Sequence, residues 1–486
     1  MKSFIHSARS LITPTYEWIP TPSQPSSAPF NDDHASQFHG KLLIREEIPL
    51  DDPTFRSYLI NQLFTAIPSI EKHLWGHRCR RCGTRAKRHF APIPCARCDE
   101  THVYCRNCIE MGRVLACEPL YYWTGPSPNW SQQDHACHWD GNLTTYQQHA
   151  SDQIVKSMTT PKAELLCWAV CGAGKTEMVF AGIAALLEQG KRVCLATPRA
   201  DVVRELVPRF RTAFPHTSIQ GLYGGSEQKD TPGQFVIATT HQLLRFAHAF
   251  DGMIIDEIDA FPFHHDPSLL FAANRAVKPT AARIYLTATP RKQHRKRVRA
   301  GKLATVFVPV RFHGHPLPVP ILQLCWQLKK DLAKHQPPKA FFTWYKQRSH
   351  PDRQLLIFVP TIELAEKLTR TLQKYFASSG QTIKSVHAAD HDRAEKVQQF
   401  RNKAYNVLVT TTILERGVTF PSVDVVILDA GHHVFDEAAL VQIAGRAGRS
   451  PKDPTGEVVF FHDGKTEAIV KAVKSIEAMN KRGRRL

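Results

Sequence analysis

The sequence predicts an α/β protein, two tandem lobes on parallel sheets preceded by a small cysteine-rich module. Three observations predict it. After about Asp140, apolar runs of four to seven residues alternate with helix-period segments, the pattern of parallel strands buried on both faces. The runs fall into two groups, separated at residues 305–320 (TVFVPVRFHGHPLPVP), where Pro and His replace the periodicity. Six of the twelve cysteines lie within thirty residues as three C-x-x-C pairs, a spacing that means metal in a reducing compartment.

Taken in order, residues 1–40 read as a flexible segment, since positions 16–34 are rich in Pro and Ser. Residues 41–76 start with a strand from Lys41 (KLLIREEIPL). DDPTFRSYLINQLFTAI then reads as a capped amphipathic helix with Phe55, Leu59, Leu63 and Phe64 on one face. The cysteine module occupies 77–118. The first lobe, 140–305, carries the runs LLCWAV, KRVCLATP, FVIATT, GMIIDEID and RIYLTATP; the second, 320–462, carries QLLIFVP, NVLVTTT and DVVILDA. Residues 463–486 read as a helix with a basic tail, and no repeat at solenoid periods is visible.

The chain has 486 residues with 42% hydrophobic and 22% charged, which suits roughly three packed units and excludes a disordered or fibrous protein. Lys and Arg number 63 against 44 acidic residues, a formal charge of +19 with a pI near 9.5. Nucleic acid or anionic lipid is therefore an expected partner. No run approaches 18 consecutive apolar residues and the first 30 hold no signal-peptide core, so a cytoplasmic location is expected.

Phosphate chemistry is concentrated in one stretch. Ala169 to Thr176 (AVCGAGKT) follows the run LLCWAV and precedes the helical MVFAGIAALLEQ, the setting of a phosphate-binding loop. Gly172 and Gly174 let backbone N–H groups, that of Ala173 included, turn toward phosphates; Lys175 reaches the β and γ oxygens, and the Thr176 hydroxyl can ligate Mg²⁺. About eighty residues on, Gly252 to Asp259 (GMIIDEID) is an apolar strand ending in acids. There Asp256 would hold Mg²⁺ through water and Glu257 would orient and deprotonate the attacking water. Gln442 to Arg449 (QIAGRAGR) sets Arg446 and Arg449 at i and i+3, guanidinium groups able to stabilise charge developing on a transferred phosphoryl group.

In this order the motifs resemble superfamily-2 helicases and translocases over residues 143–449. Leu143 to Gln147 resembles the adenine-reading motif, with Gln147 its key residue. Thr197-Pro198-Arg199, Gly224-Gly225 and Thr239-Thr240 stand where that family touches the nucleic-acid backbone. Asp256 to Asp259 is a DExD motif and Thr287-Ala288-Thr289 the segment coupling hydrolysis to movement. Phe358 to Thr361, Thr410-Thr411-Thr412 with Arg416-Gly417, and the segment from Gln442 to Arg449 complete the second lobe. The resemblance implies two RecA-like lobes, ATP as the nucleotide, and backbone contacts from Thr197, Arg199, Gly225, Thr239, Thr361 and Thr411 that read no bases.

The spacing Cys79-x2-Cys82-x12-Cys95-x2-Cys98-x6-Cys105-x2-Cys108 is that of zinc knuckles. Six thiolates exceed one Zn²⁺ site: either four bind and two are spare, or Cys117 and a histidine such as His102 help build a second. Arg78, Arg80, Arg81, Arg85, Lys87, Arg88, Arg97 and Arg106 surround the ligands, which favours contact with a polyanion. A cysteine module followed by two motor lobes resembles the ComFA family, as do Tyr104 to Val114 (YCRNCIEMGRV), Gly172 to Glu177 and the Met479-Asn480 region. That family is generally described with four zinc cysteines. The resemblance implies an ATP-dependent single-stranded DNA translocase driving uptake of transforming DNA across the cytoplasmic membrane. It further implies a peripheral position at the inner face of that membrane, with a ComEC-type membrane channel, a ComFC-type protein and single-strand DNA-binding competence proteins as partners; a homo-oligomer is a further candidate, its state left open by the sequence.

Two other readings compete. A PriA-like primosomal helicase also joins zinc to this motor, but its cysteines interrupt the second lobe, whereas here they precede the first. A non-motor zinc adaptor would not need Lys175, Thr176, Asp256, Glu257, Arg446 and Arg449 together. The basic run Arg291 to Arg299 (RKQHRKRVR) reads either as a solvated helix face or as a contact for DNA or acidic lipid.

Overall fold

The computed structural model describes residues 30–226, 231–416 and 419–484. The start of the segment read as flexible, Gly417 and the end of the basic tail lie outside them. The chain forms two compact units, Met1–Asn142 with Ser151–Leu166 and Val179–Leu286, and Leu143–Ala150 with Cys167–Met178 and Thr287–Leu486.

In the first unit, Asp32–Phe38 is a helix inside the stretch expected to be flexible. Asn31 caps it by accepting from the Asp33 N–H, and Ala35 and Phe38 enter a core with Leu43, Phe55, Phe64 and Trp123. After strand β1 (Leu42–Leu43) comes the helix Asp52–Ile60, shorter than its apolar spacing predicts. Gln62 takes a left-handed φ of 57°, which ends the helix, and Phe64–Ile67 become β2. Strands β3 (Ile70–His73) and β4 (Gly76–Cys79) form a hairpin. β5 (Phe90–Pro94), β6 (Thr101–Cys105) and β7 (Val114–Leu115) form an antiparallel sheet, and β8 (Leu120–Trp123) lies between β1 and β2.

The parallel strands follow. β9 (Glu164–Ala169) runs from the first unit into the second. β10 (Val193–Thr197), β11 (Ile219–Leu222), β12 (Phe235–Thr239), β13 (Phe250–Asp256) and β14 (Val277–Thr287) are neighbours in the order β11-β12-β10-β13-β14 within a seven-stranded sheet. The pairs β11–β12, β12–β10, β10–β13 and β13–β14 are parallel. β10 and β12 are buried at every residue, which is why they read as unbroken apolar runs rather than as alternation.

Buried cations lock this unit. Arg275, fully buried, donates to the carbonyls of Phe246 (3.0 Å), Leu244 (2.7 Å), Arg80 (3.0 Å) and Arg81. It thereby ties the first C-x-x-C turn to the helix Pro267–Ala276 that follows the acidic strand. Glu47 binds Arg81 at 2.7 Å and Arg245 at 2.6 Å, and the two guanidiniums hold its carboxyl below the ordinary range against the opposing effect of burial.

Nearby, His39 is 7% exposed, and its pKa is lowered to about 4 by burial first, then by Arg192 and Lys278, with Asp251 opposing. Such a histidine stabilises the fold only while neutral: the unfolded chain takes up the proton first, so stability is complete above 6.5 and lost as pH falls toward 4. Chemical denaturation between pH 7 and 4 should show a loss of about 3 kcal/mol. His39→Gln should flatten that dependence; an unchanged slope would count against the assignment.

The second unit contains β15 (Ala304–Val308), at the start of the stretch read as a break, then β16 (Ile321–Leu324), β17 (Gln354–Phe358), β18 (Ile383–Val386), β19 (Val407–Thr410), β20 (Val423–Leu428) and β21 (Val458–His462). The last six form a parallel sheet, order β16-β21-β20-β17-β19-β18. Helix Ile362–Tyr375 buries Leu364, Ala365, Leu368 and Leu372 in the core with Leu355 and Ile357 of β17, as its 3.6-residue period requires. The last helix, Glu467–Gly483, buries Ile469, Ala472, Ile476 and Met479. Its Asn480 amide exchanges two hydrogen bonds with the Leu317 backbone, at 3.0 and 2.9 Å, and so fixes the stretch preceding β16.

Candidate functional site

In the second unit the chain leaves β9 and turns through the loop before the helix Lys175–Met178. Gly172 and Gly174 have φ of 79° and 71°, a backbone conformation that side chains disfavour and that turns successive N–H groups toward one point. A Cβ on Gly174 would stand 2.3 Å from Nε2 of Gln147 and displace that side chain. Gln147 is buried, donates to the Ala173 carbonyl at 3.0 Å and accepts from the Thr144 N–H at 2.8 Å. Its side chain thus fixes the loop from behind while it belongs to the helix Thr145–Thr159.

The arginine-bearing segment lies in the same unit. The Cys171 thiol donates to Gln442 Oε1 at 3.0 Å, and Gly445 packs so closely that an added Cβ would meet the Cys171 Cβ at 2.5 Å. Arg446 is 1% exposed and donates through Nε to the Glu415 carbonyl at 3.1 Å; Arg449 donates to the Gly445 carbonyl at 3.0 Å. Sequence reasoning missed a third cation, Arg311. It is 1% exposed, and its side-chain carbons lie 3.8 Å from where a Cβ of Gly172 would be. Nη1 donates to the Gly448 carbonyl, but among the described residues buried Nε and Nη2 have no hydrogen-bond partner. Burial, then Arg449, lowers its pKa to about 10, so it remains a cation at neutral pH. An orphaned buried guanidinium beside a phosphate loop is chemically suited to an anion. No motif marks it: it follows β15 in the stretch read as a break.

In the first unit, Asp256 ends β13 and its carboxylate accepts from the Glu257 N–H at 2.8 Å, while Glu257 adopts φ of 53°. That left-handed turn sharply redirects the chain at the carboxyl edge, where open α/β sheets bind ligands. Thr197 and Thr239 are register partners at the same edge of β10 and β12, both with buried side chains. Arg199 pairs with Asp201 at 2.9 Å, and Gly225 is exposed with φ of 80°.

In the second unit, Thr361 caps its helix by accepting from the Leu364 N–H at 3.2 Å, and Thr411 directly follows β19, the parallel neighbour of β17. The basic run is not simply solvated. Arg291 pairs with Asp436 and Arg295 with Glu437, both at 2.6 Å, at the start of the helix Glu437–Ala444 that bears Gln442. Arg295 also lies over the Trp168 ring, whose Nε1 donates to the Ala288 carbonyl at 3.0 Å. Lys292, Lys296 and Arg299 remain exposed.

The six cysteines divide. Cys79, Cys82, Cys105 and Cys108 converge, all buried, their ligand atoms within 4.8 Å of one another; Cys95 and Cys98 instead join Cys117. Sulfur separations in the first cluster are 3.8 Å for Cys79 and Cys108 and 3.6 Å for Cys82 and Cys105. Four thiolates at about 2.3 Å from one tetrahedral zinc stand about 3.8 Å apart, so this donor set fits that ion without rearrangement. Hydrogen bonds from Cys105, then Cys108, hold the Cys82 thiol well below its ordinary value, while burial first of all holds Cys79 well above it.

Comparison with known proteins agrees with this arrangement. The Competence protein ComFA N-terminal domain matches residues 26–122, the "Type III restriction enzyme, res subunit" family residues 140–292, and the "Helicase conserved C-terminal domain" residues 339–451. Competence protein ComFA of Bacillus subtilis (strain 168) is 42% identical over 93% of this chain and 96% of its own length. The chain belongs to the ComFA family. ComFA of Streptococcus pneumoniae (strain R6) is 40% identical over 86% of this chain and 94% of its own. Among solved structures, S. cerevisiae Dbp5 bound to RNA and ADP BeF3 shares the fold, with TM-score 0.51, 16% identity, and coverage of 70% of this chain and 88% of that one. With its helicase domains, this ComFA-family chain is a competence-related nucleic-acid-dependent ATPase. Among the described residues no helix is long and apolar enough to cross a membrane.

Proposed function

We propose that the chain is an ATP-driven translocase of single-stranded DNA that helps bring transforming DNA across the cytoplasmic membrane during competence. The supporting observation is a phosphate loop with both left-handed glycines, in a chain related over 93% of its length to a competence protein. Backbone N–H groups of Gly172, Ala173 and Gly174 cradle the phosphates, and Lys175 meets the β and γ oxygens. Gln147 and Gln442 position the nucleotide. Glu257 orients the attacking water and takes its proton; Arg446 and Arg449, joined by Arg311, offset negative charge as it develops. Thr176 and Asp256 would hold Mg²⁺, which when bound neutralises phosphate charge.

Thr197, Arg199, Gly225, Thr239, Thr361 and Thr411 contact the strand's backbone, through main-chain groups where the side chain is buried, so the motor runs on any sequence. Zinc at Cys79, Cys82, Cys105 and Cys108 fixes the N-terminal module. The motor acts peripherally at the inner membrane face, beside a ComEC-type channel, with a ComFC-type protein and single-strand DNA-binding proteins.

The decisive experiment is steady-state ATP hydrolysis at fixed salt without nucleic acid, with single-stranded DNA, with duplex and with RNA. Stimulation chiefly by single-stranded DNA is expected; stimulation chiefly by RNA or forked duplex would overturn the uptake reading. Arg311→Ala should lower the stimulated turnover by about 10²-fold, the cost of removing one preorganised donor from a developing anion. Unchanged turnover would confine Arg311 to holding the Gly448 carbonyl.

A further inference from the structure

The geometry points to a second zinc(II) site on the cysteine module, formed by the thiolates of Cys95, Cys98 and Cys117 and by Nε2 of His102. It deepens the zinc reading of the first cluster and is independent of the motor reading.

The first observation is a repeated turn. At Cys79 the N–H of Gly83 donates to the Cys79 carbonyl at 2.8 Å and the Cys79 N–H to the Thr84 carbonyl at 3.1 Å. At Cys95 the N–H of Asp99 donates to the Cys95 carbonyl at 2.9 Å and the Cys95 N–H to the Glu100 carbonyl at 2.9 Å. The fifth residue of each turn is left-handed, Gly83 at φ 75° and Asp99 at φ 54°. The second C-x-x-C is thus folded as the same metal knuckle as the first, at the cost of a non-glycine residue with positive φ. A spare pair has no reason to keep that geometry.

The second observation is convergence. Cys95, Cys98 and Cys117 place their sulfurs within 4.8 Å of one another, and Cys117 Sγ lies 3.7 Å from Cys95 Sγ. That is the edge of a zinc–thiolate tetrahedron, about 3.8 Å, and far from a disulfide at about 2.05 Å. The third is a nearby imidazole that reaches Cys98, outside the mutual 4.8 Å of the three sulfurs. His102, on β6, places Nε2 3.1 Å from Cys98 Sγ, with the Glu100 carboxylate 3.7 Å from the same nitrogen. Arg97, between the two knuckle cysteines, is engaged by Glu118 at 2.8 Å and Glu46 at 3.3 Å and so leaves the thiolates to the ion.

Exposure separates the two sites. All four cysteines of the first cluster are buried, whereas Cys98 and Cys117 are exposed. The second ion therefore exchanges with solvent more readily than the first and pins the β5–β6 hairpin to the turn after β7.

Elemental analysis of the full-length protein should find about two zinc ions per chain, and Cys117→Ser and His102→Ala about one, with ATP turnover retained. In cobalt-substituted protein, Cys117→Ser should remove nearly half of the thiolate-to-cobalt absorption. A chelator titration of the unmodified chain should release the metal in two steps, a readout that does not depend on either variant folding. Single-step release, or an unmodified chain that holds only one zinc and keeps it in Cys117→Ser, overturns the second site and leaves the first standing. A chain with no zinc overturns both.

Discussion

Lys175→Ala is expected to lower ATP turnover by about 10³-fold or more while leaving the melting temperature unchanged, because in the proposed mechanism the lysine answers phosphate charge rather than supporting the core. The loop's shape comes from elsewhere: from Gly172 and Gly174 at positive φ, and from Gln147 bound to the Ala173 carbonyl at 3.0 Å. Removing the ammonium therefore takes away charge and leaves the cradle. Glu257→Gln is the matched experiment on the other reactant. It keeps size and hydrogen-bonding capacity but removes the proposed base, for an expected loss of about 10² to 10⁴-fold in turnover with nucleotide affinity preserved. The two variants should differ in binding: Lys175→Ala weakens nucleotide affinity and Glu257→Gln does not. Normal turnover in purified, folded Lys175→Ala protein would sink the motor assignment.

What the sequence showed of this site follows burial. β9, β10, β12, β13, β14, β17, β19 and β20 were legible because central parallel strands are apolar on both faces, and the motif residues sit at their carboxyl ends. β16 and β18 were not, since both are edge strands whose partly exposed residues, ILQL and IKSV, break the apolar run. β15 was hidden in the stretch read as a break, and with it Arg311, a residue with no motif whose role comes from burial alone. The helix predicted through Ile67 overran because Leu63 and Phe64 fit its apolar spacing, while the left-handed turn at Gln62 leaves no periodic trace. Charge misled at Arg291 and Arg295: their partners Asp436 and Glu437 are some 140 residues away, beyond any local pattern. The cysteines gave the chemistry but not the partition, because which knuckle meets which depends on how β5, β6 and β7 pair.

Cys79→Ser is expected to release the ion of the buried cluster and to lower the melting midpoint by about 10 °C, which for a unit of this size corresponds to about 4 kcal/mol. The effect is large because the metal bonds are lost outright: the four sulfurs are buried, and the three that remain must take up protons to stay there without a cation. It should also spread. The carbonyls of Arg80 and Arg81, inside that knuckle, are both bound by Arg275, and Arg275 belongs to the helix Pro267–Ala276. Loosening the knuckle deprives a fully buried guanidinium of two of its acceptors. Combining Cys79→Ser with Arg275→Met should therefore cost less than the two losses added, by about 1 kcal/mol or more, as expected for groups in one network. Strict additivity would mean that the module rides on the lobe without being built into it, and a Cys79→Ser chain with full zinc content and an unshifted midpoint would remove this cluster as a metal site.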